Sequence, residues 1–365
     1  MNEGAWQEAA ATYQWMVPWR FVRRGENWFA GGYGNVAINA LDRHLESGAD
    51  KPAVMDARGS QAAAITFRDL YWRTAKLARW WSDQGMQPGD RIFIMGSASL
   101  EGLTAWLAAA RLGGVVVRDT LDAPGPLKSR MTASEARWVV CTDANAARQV
   151  QKIFSGGDTS HGPELMTPAD QSQILGEAHN LLDPAPQEAN AIGALLYGDD
   201  ERAYAYAGLG ALMGWHQSLK RFIGLEAGDI VGIASHYGGL SDLLVLTLGV
   251  MASGATSLWI DSQSMSPSLT KLICHPLDLA SLTTWGNSWQ QILILGPHRD
   301  VPLPAFPGHK PVYAQGDMTD GLWIEPWTDP EPAPSEDRSR VMRAAWPRDN
   351  PSHDWIAPAV LTHEA

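Results

Sequence analysis

The chain has 365 residues, enough for one large domain or two smaller ones with separate cores. Hydrophobic residues make up 45% and charged residues 19%, which excludes wholesale disorder and is typical of globular proteins. The formal net charge of −12 argues against a nucleic-acid partner, because such binding requires cationic side chains that neutralise phosphates.

The two cysteines, Cys141 and Cys274, are too few for a disulfide framework, and neither has the spacing of a metal ligand. We therefore predict no metal site, and we expect Cys141 to be a buried thiol because it ends an apolar run. Glu3 and Glu8 interrupt the N-terminus, so no signal peptide is predicted. These features are typical of a cytoplasmic protein.

After an aromatic-rich N-terminal segment, helical and extended patterns alternate. The predicted elements are a helix over 66–83, a strand over 91–95, a helix over 100–112, a strand over 115–117, a helix over 127–135 and a strand over 137–141. The turn signals Pro88-Gly89-Asp90 and Gly113-Gly114 separate them. Short apolar strands that alternate with helices predict a parallel sheet covered on both faces.

The alternation stops at residues 155–190, which are polar and rich in Gly and Pro, and then restarts. The later predicted elements are a strand over 191–197, a helix over 205–223, a strand over 230–234, a helix over 240–251 and strands over 255–260, 291–295 and 311–314. From residue 328 onward the chain is rich in Pro and charged residues, which predicts a loosely packed tail.

Residues 243–260 carry no charge and nearly reach the length that spans a membrane. A turn signal, Ser253-Gly254-Ala255-Thr256, interrupts this stretch. We therefore favour a buried helix that leads into a buried strand, and we predict no membrane span.

The fold class predicted from these patterns is α/β, with two doubly wound parallel-sheet halves around a common cleft. The predicted organisation is an N-terminal lead segment over 1–48, a first α/β half over 49–154, a linker or surface excursion over 155–190, a second α/β half over 191–327 and a tail over 328–365.

Three stretches, Asn27 to His44, Pro88 to Val117 and Gly228 to Asp261, carry a resemblance to a known family. The first contains Trp-Phe, two glycines, Asn-x-Ala and Leu-Asp-Arg-His in that order. All three resemble the acetyl-, propionyl- and acetoacetyl-CoA synthetases of the adenylate-forming superfamily. The resemblance implies the large N-terminal domain of that superfamily, and it implies that the small C-terminal domain with its catalytic lysine is absent from this truncated chain.

Enzymes of this family join a carboxylate to ATP and pass the resulting acyl group to coenzyme A. Phosphates require a loop of Gly, Ser and Thr with a lysine, and the family's loop reads approximately Thr-Ser-Gly-Thr-Thr-Gly-Lys-Pro-Lys-Gly. Here the corresponding residues are Gly198-Asp199-Asp200-Glu201-Arg202-Ala203-Tyr204. We interpret them as an acidic surface turn beside a vestigial nucleotide cleft at Tyr197 and Gly198.

The family's magnesium motif, approximately Thr-Trp-Trp-Gln-Thr-Glu-Thr-Gly, is also degraded. The resemblance places it at residues 312–321, where Gln315 matches and Asp317 stands for the magnesium-binding glutamate with a shorter reach. Both residues are therefore predicted members of the vestigial nucleotide cleft.

The acyl pocket and the coenzyme A segment differ from the family pattern as well. The vestigial acyl pocket is predicted at Leu240 and Ser241, where Asp242 occupies the position of a family glycine. The coenzyme A segment, approximately Phe-Gly-Gly-Phe-Ser, is here Arg118-Asp119-Thr120-Leu121-Asp122. We expect Arg118 to be a solvated charge at a strand end, and we expect His44 to be a structural hydrogen-bonding residue.

The motifs favour a non-catalytic binding or regulatory subunit with a possible protein partner, such as an active synthetase. The alternatives are a non-turnover sensor of acyl-CoA, coenzyme A or a nucleotide, and residual AMP-forming acyl-CoA ligase activity. No catalytic residue and no cofactor are predicted; ATP with Mg²⁺ and coenzyme A would bind only if the cleft still accepts them. Trp15, Trp19 and Trp28 are candidates for a contact surface, although core packing is the favoured interpretation.

Overall fold

The computed structural model describes residues 3–24, 27–58, 63–119, 126–154, 163–177, 180–197, 203–234, 243–261, 271–274, 291–295 and 312–314. The chain divides into two compact units, and each is assembled from separate chain segments. The first unit comprises Met1–Tyr13, Asn39–Leu70 and Gly210–Asp349, and the second comprises Gln14–Ile38, Tyr71–Leu209 and Asn350–Ala365.

The strands are numbered in chain order. They are β1 (Trp15–Val17), β2 (Phe21–Arg24), β3 (Asn27–Ala30), β4 (Tyr33–Gly34), β5 (Pro52–Asp56), β6 (Ala63–Thr66), β7 (Arg91–Met95), β8 (Val115–Asp119), β9 (Trp138–Cys141), β10 (Glu164–Met166), β11 (Gln187–Glu188), β12 (Ile192–Tyr197), β13 (Ala203–Ala207), β14 (Ile230–Ala234), β15 (Thr256–Trp259), β16 (Lys271–Cys274), β17 (Gln291–Leu295) and β18 (Val312–Ala314).

The helices are numbered in the same way. They are α1 (Glu3–Ala11), α2 (Val36–Ala40), α3 (Leu45–Gly48), α4 (Phe67–Asp83), α5 (Leu100–Leu112), α6 (Leu127–Ser134), α7 (Ala144–Phe154), α8 (Pro168–Gly176), α9 (Gly208–Ile223) and α10 (Leu243–Met251), with a 3-10 turn over Asp42–His44.

The second unit contains a six-stranded sheet in the order β10-β9-β7-β8-β12-β13. Its neighbouring strands are parallel except for the antiparallel pair β12 and β13. Helix α5 follows β7: the Ser99 side chain accepts from the Gly102 N–H at its start, and Gly113, with φ of 81°, ends it. Apolar side chains such as Phe93, Val139 and Leu195 fill the core, as the sequence pattern predicts.

The first unit contains a seven-stranded sheet in the order β18-β17-β16-β14-β15-β5-β6, in which neighbouring strands are parallel except for the antiparallel pair β5 and β6. All nine residues of α10 are buried, and the chain then turns into the buried strand β15. The predicted buried helix and strand are thus confirmed. Among the residues described, no helix has both the length and the apolar character needed to cross a bilayer.

The lead segment of the second unit is organised around Phe29. Its ring centroid lies 5.6 Å from that of Trp15, 5.9 Å from that of Trp19 and 6.1 Å from that of Trp28. A Cβ on Gly32 would come within 2.8 Å of the Trp15 ring, which explains the glycine at this position. Core packing is confirmed for the fully buried Trp28, while Trp15 and Trp19 are half-buried.

Two predicted elements differ from the structure. Residues 155–190 are not only a linker, because they contain β10 and α8; Thr167 and Asp170 form a capping box that starts α8. The helix predicted from Ala205 begins at Gly208, because Ala203–Ala207 pairs with β12 as a strand. Pairing with a neighbouring strand outweighs the helical preference of alanine at these positions.

Candidate functional site

The predicted nucleotide cleft lies at the end of the β12–β13 hairpin. Tyr197 and Ala203 are paired across the two strands, so the five residues 198–202 connect adjacent, hydrogen-bonded positions. At the other end of the hairpin, a Cβ on Gly193 would lie 2.5 Å from the Gly208 Cα. The two glycines therefore permit a close backbone approach that positions β12 against the start of α9.

Most of the predicted site residues lie outside the part of the chain that the structure describes. The structure gives Tyr197 as the last residue of β12, and its side chain lies outside the described part of the chain. The other predicted residues, Gly198, Leu240, Ser241, Gln315 and Asp317, also lie outside the described residues. Their assignment to nucleotide and acyl sites therefore stays a prediction.

A buried ionic cluster lies at the carboxyl end of β8, in the segment that resembles the coenzyme A segment. Arg118, Asp119 and Arg130 are 3%, 2% and 5% exposed. The Arg130 Nε donates to Asp119 Oδ2 at 2.6 Å. Arg118 donates to the carbonyl oxygens of Ile94, at 3.3 Å, and of Asp119.

The expectation that Arg118 is a solvated charge is therefore wrong. Its side chain is folded back onto the backbone of β7 and β8, where carbonyl oxygens replace water. Asp119 is held by the guanidinium of Arg130, which follows eleven residues later in the chain. The cluster binds its own charges internally, which is the arrangement that buried charges require.

The loop after β7 lies at the topological switch point of the six-stranded sheet, because β8 and β9 flank β7 on opposite sides. Gly96 has φ of 108°, and a Cβ there would lie 2.5 Å from Thr142 Oγ1. The Thr142 hydroxyl donates to the Ser97 carbonyl at 2.6 Å, and the Ser97 N–H donates to Asp143 Oδ2 at 3.1 Å. The polar groups of this loop thus satisfy one another.

In a second polar cluster, in the first unit, a phenol, an imidazole and a hydroxyl are joined by hydrogen bonds beside the Arg43 guanidinium. A hydrogen bond of 2.5 Å joins Tyr13 Oη to His216 Nδ1, and another of 2.7 Å joins His216 Nε2 to Ser253 Oγ. The Arg43 guanidinium lies 5.2 Å from the Tyr13 ring centroid and donates to the carbonyl oxygens of Thr12, at 3.0 Å, and Ala252. Burial, with a smaller contribution from Arg43, lowers the pKa of His216 to about 3.

The Ser253 hydroxyl bonded to the His216 imidazole has the connectivity of a nucleophile with its general base. The pKa of the imidazole, however, is too low for that role. A general base works best with a pKa near the working pH, and that of His216 lies well below neutrality. Burial also raises the pKa of Tyr13, so the phenol remains neutral. The cluster therefore connects α1, α9 and the turn after α10 without supplying a base.

His44 belongs to the same unit and is also neutral. Burial lowers its pKa to about 4, with a smaller effect of Arg43, and the imidazole bonds to the backbone of Ala252 and Met251. Gly254, with φ of 75°, is needed here because a Cβ would lie 2.9 Å from His44 Nδ1. These contacts agree with the predicted structural role of His44.

Sequence reasoning missed several residues of these clusters. Tyr13 and His216 are 203 residues apart, and no local pattern relates them. Arg130 lies closer to Asp119 in the sequence, but its position on α6 gave no signal of an ion pair. The thiol of Cys141 is buried as expected, and burial raises its pKa to about 12.

Comparison with known proteins agrees with this architecture. Residues 41–197 match the family described as AMP-binding enzyme. The chain is 34% identical over 147 residues to acetyl-coenzyme A synthetase 2 of Pseudomonas aeruginosa, covering 38% of this chain and 23% of that protein. It is 27% identical over 313 residues to acetyl-coenzyme A synthetase of Stutzerimonas stutzeri, covering 74% of this chain and 47% of that protein.

A solved structure shares the fold. The acetoacetyl-CoA synthetase from Streptomyces lividans superposes with a TM-score of 0.67 at 16% identity, over 85% of this chain and 57% of that chain. The chain thus spans about half the length of the relatives that it matches, and the matched part has the α/β fold with parallel sheets of the superfamily's N-terminal domain. Residues 41–197 therefore match the AMP-binding enzyme family, and the chain as a whole is similar to acetyl-coenzyme A synthetases.

Proposed function

We propose that this protein is a non-catalytic member of its family, acting as a binding or regulatory subunit for a protein partner such as an active synthetase. The observation that carries the proposal is the short, acidic connection in the β12–β13 hairpin. Only residues 198–202 lie between the paired Tyr197 and Ala203, and they include Asp199, Asp200 and Glu201.

Charge makes this connection a poor phosphate site. A carboxylate about 4 Å from a phosphate charge is repelled by roughly 4 kcal/mol at an effective dielectric of 20. Arg202 can offset one carboxylate, which leaves two uncompensated. In the family, backbone N–H groups and a lysine attract the phosphates of the nucleotide. In this chain, the carboxylates at the corresponding position would repel them.

The buried ionic cluster supports the same proposal. In the segment that resembles the family's coenzyme A segment, Asp119 is 2% exposed and bonded to Arg130 at 2.6 Å. A ligand that approached this segment would have to displace a buried ion pair, and breaking such a pair costs several kcal/mol.

Calorimetric titration with Mg-ATP, AMP and coenzyme A, each in turn, tests the loss of ligand binding. We expect no saturable binding with any of the three. The matched variant carries Asp199→Asn, Asp200→Asn and Glu201→Gln, which keeps loop length and removes the charge. Micromolar ATP binding by the unchanged chain would refute the proposal, whereas binding by the neutral variant alone would identify the charge as the block.

The lead segment supplies a surface suited to a protein contact. Met16, Val17 and Phe21 are 40%, 47% and 51% exposed, and they lie on strands supported by the Phe29 aromatic cluster. Exposed Arg20 lies in the same stretch, on a chain whose net charge is −12. Large apolar side chains presented by a rigid scaffold favour protein association.

A further inference from the structure

Two cavities lie along the contact between α4 and α8 in the second unit. The first, of about 340 Å³, is lined by Trp72, Arg73 and Lys76 of α4 together with the last turn of α8. The second, of about 330 Å³, is lined by Trp80 of α4, by Ile174 of α8 and by β10. Trp72 and Trp80 are eight residues apart, which is about 12 Å along a helix, so the two cavities follow one another along α4.

Lys76 lies between the two cavities. Its ammonium donates to the carbonyl oxygen of Leu175, which lines the first cavity, at 3.1 Å. It also donates to the carbonyl oxygen of Glu177, which lines the second cavity, at 3.4 Å. These bonds join α4 to the end of α8, so the two cavities belong to one surface, which we call the α4–α8 face.

The apolar groups of the α4–α8 face differ between its two ends. At the first cavity, Trp72 is 46% exposed, and its ring packs edge-on against Tyr71 with 6.1 Å between the ring centroids. At the second cavity, the base is formed by Met166 and Ile174, which are 3% and 7% exposed. One end therefore presents a large aromatic side chain to solvent, and the other end presents a cavity with an apolar base.

The two ends also carry opposite charges. The exposed Arg73 lines the first cavity, and among the described residues no carboxylate is paired with it. The exposed Glu164 and Asp170 line the second cavity. The Trp138 indole N–H donates to Glu164 Oε2 at 3.2 Å, and the Thr167 N–H and hydroxyl donate to Asp170 Oδ2 at 2.8 and 2.7 Å. Neutral donors thus hold these carboxylates in place without pairing their charge.

A surface with these two ends is complementary to itself after a two-fold rotation. We infer that the α4–α8 face binds a second copy of this chain, with the two α4 helices antiparallel. Trp72 of each copy enters the cavity above Met166 and Ile174 of the other copy, and Arg73 faces Glu164 there. Burial of the indole supplies affinity, and the opposite charges fix the orientation, because parallel helices would bring like charges together. The inference is independent of the proposed function, because it uses none of the residues assigned there.

Charge reversal tests the two-fold contact. In the homodimer, Arg73→Glu places a glutamate against Glu164 twice, and Glu164→Arg places an arginine against Arg73 twice. We expect sedimentation equilibrium to show dimers of the unchanged chain, and a dissociation constant at least about tenfold higher for each variant. An equimolar mixture of the two variants should recover the dimer, because both contacts then again join a glutamate to an arginine. A mixture that does not associate would overturn the inference, and so would an unchanged chain that is monomeric at about 0.1 mM.

Two further variants separate the apolar contact from a general effect of charge. Trp72→Ala should raise the dissociation constant about tenfold, because the exposed indole is the apolar anchor. Arg148→Glu is the matched control for Arg73→Glu, since Arg148 is an exposed arginine on α7 of the same unit. It should leave the dissociation constant unchanged.

Thermal unfolding verifies that each variant folds, and Arg73→Glu with Trp72→Ala decides the matter if Glu164→Arg is unstable. Equal weakening by Arg148→Glu and Arg73→Glu would show a general charge effect and refute the contact. Dimers that persist in Trp72→Ala and in Arg73→Glu would place the association on another surface and refute it as well.

Discussion

The two buried polar clusters handle ionisable groups in opposite ways. In the second unit, the Arg130 guanidinium is paired with the Asp119 carboxylate, and Arg118 donates to backbone carbonyl oxygens. In the first unit, Tyr13 and His216 are neutral, and burial shifts the pKa of each away from its charged form. Burying a charged side chain is costly, and the protein avoids this cost by pairing opposite charges in one cluster and by keeping the side chains neutral in the other.

The comparison teaches which perturbation each cluster resists. A paired cluster fails when one charge loses its partner, because the remaining charge is buried without compensation. A neutral cluster fails when a proton is added, because the environment that suppresses the charge is unchanged. Removing one partner should therefore destabilise the paired cluster more, and lowering the pH should destabilise the neutral cluster more.

The largest effect is expected from Asp119→Ala, which removes the carboxylate that pairs with the buried Arg130. The free energy of unfolding should fall by about 3–5 kcal/mol, measured by urea denaturation. Asp119→Ala combined with Arg130→Leu should recover much of that loss, since both members of the ion pair are then removed. The control, Asp50→Asn, removes an exposed ion pair to Arg68 and should cause no measurable change. A loss no greater than that of the control would contradict the importance of the pair.

Acid should act on the neutral cluster. The pKa values of His216 and His44 in the folded protein are about 3 and 4, below the ordinary value of 6.5. The unfolded chain therefore binds more protons below pH 6.5, and the free energy of unfolding should fall with pH between about 6.5 and 4, by up to about 1.4 kcal/mol per pH unit for each histidine.

The control for acid sensitivity is His216→Gln, which keeps a polar side chain but cannot titrate. Its urea midpoint should depend less steeply on pH than that of the unchanged chain. Identical slopes over this range would mean that His216 does not carry the acid sensitivity.

A smaller effect is expected from Tyr13→Phe, which removes the hydroxyl that bonds to His216 at 2.5 Å. The loss in free energy of unfolding should be about 1–2 kcal/mol, because a buried imidazole nitrogen loses its partner. Ser253→Ala, at the half-buried end of the same chain of bonds, should cost less. The reverse order would indicate that the Ser253 end of the cluster, not the Tyr13 end, controls its stability.

The smallest effect on stability, but a large one on association, is expected from Phe21→Ser. Phe21 is 51% exposed, so the free energy of unfolding should change by less than about 0.5 kcal/mol. Sedimentation of the chain mixed with an active synthetase from the same host should show a complex that this variant loses. A complex unaffected by Phe21→Ser would place the contact on another surface.

The sequence predicts much of the fold, because its strongest signals are local. Strand β7 and helix α5 have their predicted bounds, since an apolar run followed by a Ser cap and a Gly terminator is readable without tertiary information. Helix α8 was missed, because the polar composition of its segment is typical of a loop and its capping box, Thr167 and Asp170, is a weak signal by itself. Strand β13 was missed because only pairing with β12 makes it a strand.

The candidate sites were less predictable than the fold. Arg118 lies at a strand end, where exposure is the usual outcome, and its burial depends on carbonyl groups of a neighbouring strand. His216 bonds to Tyr13, which lies 203 residues earlier in the sequence. The negative charge of residues 199–201 can be read directly from the sequence, whereas partners brought together by folding cannot.

The glycine pair at the base of the β12–β13 hairpin has a consequence for engineering. Gly193 and Gly208 approach so closely that a Cβ on Gly193 would lie 2.5 Å from the opposite Cα, and the ladder shifts register at that point. The hairpin is thus anchored at the end away from residues 198–202. A longer glycine- and lysine-containing loop could be grafted between Tyr197 and Ala203 without disturbing this anchor, so that the contribution of this loop to nucleotide binding could be measured separately from that of the rest of the chain.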